Sequence, residues 1–317
     1  MKLITFTREG VSRIGAITNE EVIDLNAAYK ALLASEGKIR AREIAEAFIP
    51  ADMNGFLQGG KESFKLAHKA IDYALINRED NGYQLVYKLK EVKIEAPVPA
   101  PGKMICVGHN YREHILEMKR ELPPYPVVFA KFANTVIGPQ DDIPFYPISD
   151  QLDYEAEFAF VVGKRARHVS QAEALDYVAG YTIVNDVTYR DLQRRTLQWL
   201  QGKTVEGSAP MGPWLITADE LQDPSGLEIV LTVNGEERQR SNTANLVFSV
   251  QYLVEFLSNL MTLEPGDVIL TGTPGGVGVA RDPQVFLKDG DVVKIEVDKI
   301  GSLENRVAPV KEPAEVK

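Results

Sequence analysis

Polar and apolar residues alternate from Asp153 to Gly163: Tyr154, Ala156, Phe158, Phe160 and Val162 fall on one face, and Glu155 and Glu157 share the other. Side chains two apart on a strand point the same way, so the spacing predicts a strand with one face in a core. Shorter apolar runs at 2–6, 13–18, 22–25, 103–107, 180–186, 268–271, 292–297 and 302–307 also read as strands. Asn234-Gly235, between runs at 227–233 and 237–240, is a hairpin signal. Apolar residues three or four apart predict helices at 27–35, 41–48, 61–76, 187–200 and 249–261. A helix is also expected from Asn110, a candidate N-cap with Glu113 three residues on, to Leu122, where Pro123-Pro124 stops it. Its apolar stripe would be Tyr111, Ile115, Met118 and Leu122.

Pro97, Pro99 and Pro101 fall within five residues and favour an extended connection. They divide the chain into a small N-terminal module, 1–98, and a larger one, 103–308. The 317 residues, 44% hydrophobic, are enough for two such units. A net charge of −10 argues against nucleic acid or an anionic membrane as partner and leaves a small molecule as the expected one. The single cysteine, Cys106, forms no internal disulfide and no thiolate zinc site. With no membrane span or signal-peptide pattern, a cytoplasmic location is expected.

Glu155 and Glu157 lie roughly 6.6 Å apart along a strand. A hard divalent cation between them would relieve their repulsion; on a half-exposed strand the same pattern is ordinary solvated surface. Asp186, closing the run at 180–186, is a candidate third oxygen ligand or a turn former. With no His-Glu-x-x-His and no cysteine pair, oxygen ligands point to magnesium, manganese or calcium. His114 and Glu117, at i and i+3, suit a general-base pair, or a solvated pair on a helix flank. Arg190 and Gln193, one turn apart, suit an anionic substrate or solvent, and Lys203 falls in a run, 201–208, that reads as a flexible loop. The loop 272–278 lacks the lysine of a P-loop; its amides and the Thr273 hydroxyl suit a carboxylate. His68 reads as a surface or packing histidine.

Gly108-His109-Asn110-Tyr111-Arg112-Glu113-His114, Leu152-Asp153-Tyr154-Glu155-Ala156-Glu157, Asn185-Asp186-Val187-Thr188-Tyr189-Arg190-Asp191 and Leu270-Thr271-Gly272-Thr273-Pro274 resemble, in order and spacing, the fumarylacetoacetate hydrolase family. The resemblance covers 103–308. It implies a β-rich α+β roll, assembled as homodimers, with Glu155, Glu157 and Asp186 as ligands to magnesium or manganese. It implies His114 and Glu117 as general-base pair, Lys203 as catalytic lysine, and Lys131, Arg190, Gln193, Gly272 and Thr273 near the substrate. The expected reaction is cleavage of a carbon–carbon bond in an acylpyruvate, a β-diketo acid, through an enolate that the metal stabilises. The alternatives are decarboxylation of oxaloacetate or a related keto acid, and isomerisation of a 2-hydroxy-diene-dioate. A binding protein without activity on the same scaffold is a further class, against which the base pair and Lys203 speak.

Overall fold

The computed structural model describes residues 1–310. Its frame is a mixed twelve-stranded sheet. From one edge the strand order is Val86–Lys88, Glu21–Asp24, Val11–Thr18, Lys2–Arg8, Ala209–Thr217, Val178–Asn185, Ala156–Val162, Val268–Leu270, Met104–Gly108 and Val127–Lys131, with Lys93–Glu95 paired to Lys2–Arg8 and Val136–Ile137 to Ala209–Thr217 off this path. Neighbours along this path are antiparallel except Val268–Leu270 beside Met104–Gly108, which run parallel. A second, five-stranded sheet runs Ile143–Phe145, Gly301–Pro309, Val292–Val297, Glu228–Val233, Glu236–Asn242. The chain is α+β and rich in sheet.

The large sheet is covered on both faces. On one, Phe158, Phe160 and Tyr181 pack into a core with Ile229, Leu231, Ile295 and Leu303 of the smaller sheet. On the other, Leu3, Cys106, Ala159, Val161, Val184 and Leu215 meet Leu66, Ala67, Ala70 and Ala74 of the helix Gly60–Asn77. Every residue of Ala156–Val162 is therefore buried, which removes the solvated-strand reading of Glu155 and Glu157. Glu155 itself precedes the strand.

The connection at 96–102 does not interrupt the sheet. Lys2–Arg8 pairs with Ala209–Thr217, so the N-terminal strands are hydrogen bonded to the frame of the larger segment. The helices Leu25–Ser35, Ala41–Phe48, Gly60–Asn77 and Val250–Leu260 fall where the apolar spacing puts them. Met53–Gln58 is an added helix, N-capped by the Asp52 carboxylate, which accepts from Gly55 N at 2.8 Å. Gly55 inside its six residues hides it from a periodicity argument. The Asn234-Gly235 hairpin forms, both residues at positive φ as a tight primed turn requires. His68 is exposed, 3.5 Å from Asp219.

Two expectations fail near the cavity described below. The helix expected over 110–122 is only Arg112–Glu117, and Asn110 is not its cap. The Asn110 side chain is buried, donating to Phe248 O and Thr271 O and accepting from Phe248 N at 2.7 Å. Leu122 is exposed rather than on an inward stripe. The helix expected over 187–200 is two short ones, Arg190–Arg194 and Leu200–Lys203. The break folds the second helix against Tyr189 and Gln193, and Gly202 permits the approach: a Cβ there would lie 2.4 Å from Tyr189 O.

Candidate active site

The ends of two antiparallel strands bring three carboxylates together. Ala156 pairs with Asn185, Asp186 N donates to Glu155 O at 2.9 Å, and Glu155 N donates to Asn185 Oδ1 at 3.1 Å. Oxygen atoms of Glu155, Glu157 and Asp186 then lie within 4.8 Å of one another, all three residues buried. The site is thus a product of strand register, and its chemistry is set by the cations packed around it.

Lys203 lies on the last turn of its short helix, buried, with Nζ 2.7 Å from both Glu155 Oε2 and Asp186 Oδ2. The flexible-loop expectation for this residue is therefore wrong. Arg190 and Gln193 are buried too, not solvated: Arg190 Nε and Nη1 lie 2.7 Å from Asp153 Oδ2 and Glu155 Oε1, and Nη1 donates to Gln193 Oε1 at 3.1 Å. Lys131 Nζ contacts Asp186 Oδ1 at 2.9 Å, Val187 O at 3.2 Å and Ser208 Oγ at 3.1 Å, which occupies its donors behind the carboxylates. Burial raises Glu155, but Lys203 and Arg190 outweigh it and hold the carboxyl down at about 2. Burial lowers Lys203, yet Asp186 and Glu155 more than compensate and raise it.

Glu157 differs. It is 1% exposed, and its side chain accepts from Gly272 N at 2.7 Å. Burial, with Asp186 and Glu155 adding repulsion, pushes it well above the usual carboxylate range. With Glu157 ionised, four buried carboxylates, Asp153 included, face three buried cations, an excess of one negative charge that its raised pKa otherwise removes by protonation. Asp186 Oδ1 makes no well-directed hydrogen bond, although Lys131 is close. Three buried carboxylate oxygens within 4.8 Å of one another, carrying that excess negative charge, are the hard oxygen donors a divalent cation takes, so the residues fit one.

These groups border a cavity of about 90 Å³ whose walls include His114, Glu155, Glu157, Arg190, Gln193, Lys203 and Thr273. Lys131 and Gly272 are not in that wall: Lys131 supports Asp186, and Gly272, at φ 103°, brings its amide to Glu157. Thr273 Oγ1 accepts from Gln239 Nε2 at 2.8 Å. On the opposite wall His114 is buried, and its Nδ1 lies 3.3 Å from Glu117 Oε2. Gly276 N reaches both Glu117 oxygens at 3.0 and 3.1 Å. Burial raises Glu117, but the His114 and Gly276 hydrogen bonds prevail and leave it lowered, ready to hold the imidazole by charge.

Sequence reasoning missed two groups. Asp153 accepts from Arg190 Nε, Gly278 N at 2.8 Å and Val279 N at 3.0 Å, fixing Arg190 and the 276–279 loop together. Its partners lie 37 and 125 residues away, and no local pattern signals them. His109, with Arg120, Phe129, Arg194 and Trp199, also lines the cavity. The positive φ of His109 has no sequence signature.

Residues 103–308 match the family described as fumarylacetoacetate (FAA) hydrolase C-terminal. The chain is 41% identical to the fumarylacetoacetate hydrolase domain-containing protein 2 homolog of Dictyostelium discoideum, over 97% of each protein. It is 40% identical to the oxaloacetate tautomerase YisK of Bacillus subtilis, over 92% of this chain and 94% of that one. Among solved structures it is similar to maleylpyruvate hydrolase from Sphingobium sp. SYK-6 in complex with manganese(II) and pyruvate. The TM-score is 0.75 and the identity 28%, over 98% of this chain and 100% of that chain. With these matches and the geometry of the carboxylate cluster, the chain belongs to the fumarylacetoacetate hydrolase family and is an enzyme.

Proposed function

We propose that this enzyme interconverts the keto and enol forms of a small keto diacid, oxaloacetate in the first instance, with Mg2+ or Mn2+ held by Glu155, Glu157 and Asp186. The observation that carries the reading is His114, held by Glu117, lining the same small cavity as Glu155 and Glu157. The cation, when bound, would draw electron density from the acid's carboxylate and keto oxygens and so acidify the adjacent C–H.

The protein's own groups do the rest. Glu117 holds Nδ1 of His114, which leaves Nε2 to take a proton from the carbon next to the keto group. Returning a proton to the keto oxygen completes the enol, with no other reactant consumed. Lys203 keeps positive charge beside the oxygen that becomes negative. Arg190, whose Nη2 is buried and unpartnered among the described residues, binds the carboxylate next to the keto group, and Asp153 and Gln193 hold it in place.

The name of the Bacillus relative, an oxaloacetate tautomerase, supports proton transfer ahead of the acylpyruvate hydrolysis expected from the sequence. Hydrolysis is kept as the second reading because the Sphingobium neighbour is a maleylpyruvate hydrolase. The two separate in one assay. The decay of enol oxaloacetate, followed by its ultraviolet absorbance with Mg2+ present, should run well above the buffer rate. His114→Ala should slow it by about 10²- to 10⁴-fold while metal binding persists. No acceleration of that decay, with cleavage of acetylpyruvate instead, would establish the hydrolase reading in its place.

A further inference from the structure

His109 has no task in the scheme above, yet its setting is built. It stands at φ 54°, a conformation uncommon for residues other than glycine, with its ring between those of His114 at 6.0 Å and Trp199 at 5.5 Å. Arg120 Nη1 lies 2.9 Å from His109 Nε2. A guanidinium only donates, so Nε2 presents its lone pair and the neutral ring carries its proton on Nδ1. Burial first, then Arg120 and His114, lower the pKa to about 4 and keep the ring neutral. Nδ1 is itself buried and has no partner among the described residues.

A buried N–H without an acceptor is unfavourable, and native structures rarely leave one. Here the residue lines the reaction cavity, where a ligand oxygen can supply the acceptor. Two further cations, Arg120 and Arg194, line the same wall. Burial first, then the nearness of Arg190 and Arg120, lower the Arg194 pKa. Arg190 is already committed to Asp153 and Glu155. In the scheme above Arg190 Nη2, the other buried unpartnered donor among the cavity-lining residues, takes the carboxylate next to the keto group, which leaves His109 Nδ1 for a second one.

We propose that His109, through Nδ1–H and with Arg120 and Arg194 beside it, seats the second carboxylate of a dicarboxylic acid, so that the enzyme selects diacids over monoacids. The inference rests on the reading that the cavity takes a small keto acid. Arg120 has a double part: it fixes the tautomer of His109 and adds charge to the seat.

Calorimetric binding of malate and of lactate to the Mg2+-loaded enzyme tests this without turnover, because malate is lactate with a second carboxylate. Wild type should favour malate by about 10- to 100-fold, the strength of hydrogen bonds to a charged group. His109→Ala should lose most of that ratio with lactate affinity unchanged. His109→Asn should keep it, since Asn Nδ2 stands where His Nδ1 stands and Asn tolerates positive φ. Should His109→Ala fail to fold, His109→Asp carries the comparison, having the shape of Asn but no donor. An unchanged ratio in His109→Ala or His109→Asp overturns the proposal, as does equal binding of the two acids by wild type. Loss of the ratio in a protein that does not tautomerise oxaloacetate supports the seat and rejects the proton-transfer reading.

Discussion

Glu157 is the residue on which the site turns, because its charge is the one that no neighbouring side chain matches. Its raised pKa contributes stability to the metal-free protein that is fully present below the ordinary carboxylate range. That contribution is lost as pH rises through the raised value, where the buried group must ionise. Compared with Glu157→Gln in chelator, wild type should therefore lose thermal stability as pH rises above the ordinary carboxylate range. Metal binding requires the ionised form, so affinity for Mg2+ or Mn2+ should rise with pH and binding should release a proton, measurable by calorimetry in buffers of different ionisation heat. Melting curves of wild type and Glu157→Gln that run parallel with pH in chelator would refute the assignment. The carboxylates were legible because alternation puts Glu155 and Glu157 on one face and a strand end supplies Asp186. His114 and Glu117 were legible because three residues is one helical turn. Asp153 and His109 were not, since their roles depend on contacts with Gly278, Trp199 and Arg120 that no period encodes.

At the level of elements, long apolar patterns were read well and short ones poorly. The helices Ala41–Phe48 and Val250–Leu260 owe their form to their own amphipathic spacing. The pieces around the cavity are shaped by what they must touch. Leu200–Lys203 exists as a separate helix because Lys203 has to reach Glu155 and Asp186. Gly202→Ala, whose Cβ would meet Gln193 N at 2.5 Å and Tyr189 O, should push this turn outward. We expect a loss of about 1–3 kcal/mol in denaturant unfolding, with weaker turnover as Lys203 is displaced. Asn110 is the analogous joint on the other wall. Its three buried hydrogen bonds tie the start of Arg112–Glu117 to Phe248 and Thr271. Asn110→Ala should cost about 3 kcal/mol, at roughly 1 kcal/mol for each bond, and lower turnover by releasing His114. Wild-type stability in either variant would show that these joints carry no strain or binding.

For the whole molecule, the sheet covered on both faces was not deducible from the strand pattern alone, since alternation on Asp153–Gly163 left its second face either wet or lining a cation site. The second layer comes from helices near the N-terminus, remote in sequence. Among the described residues no helix is long and apolar enough to cross a membrane. Leu116, Tyr125, Phe132 and Leu197 are exposed large apolar side chains. The homodimer that the family resemblance implies predicts twice the 35.2 kDa of one chain in sedimentation, and a value of one chain would remove it. The two walls of the cavity also differ in how they are held. The carboxylates stand at the ends of strands deep in the sheet, whereas Arg112–Glu117 contributes only His114 and Ile115 to the buried interior. On heating, the short helix should loosen while the sheet is intact. The enzyme would then lose activity some degrees below its melting temperature, still hold its cation, and recover at once on cooling.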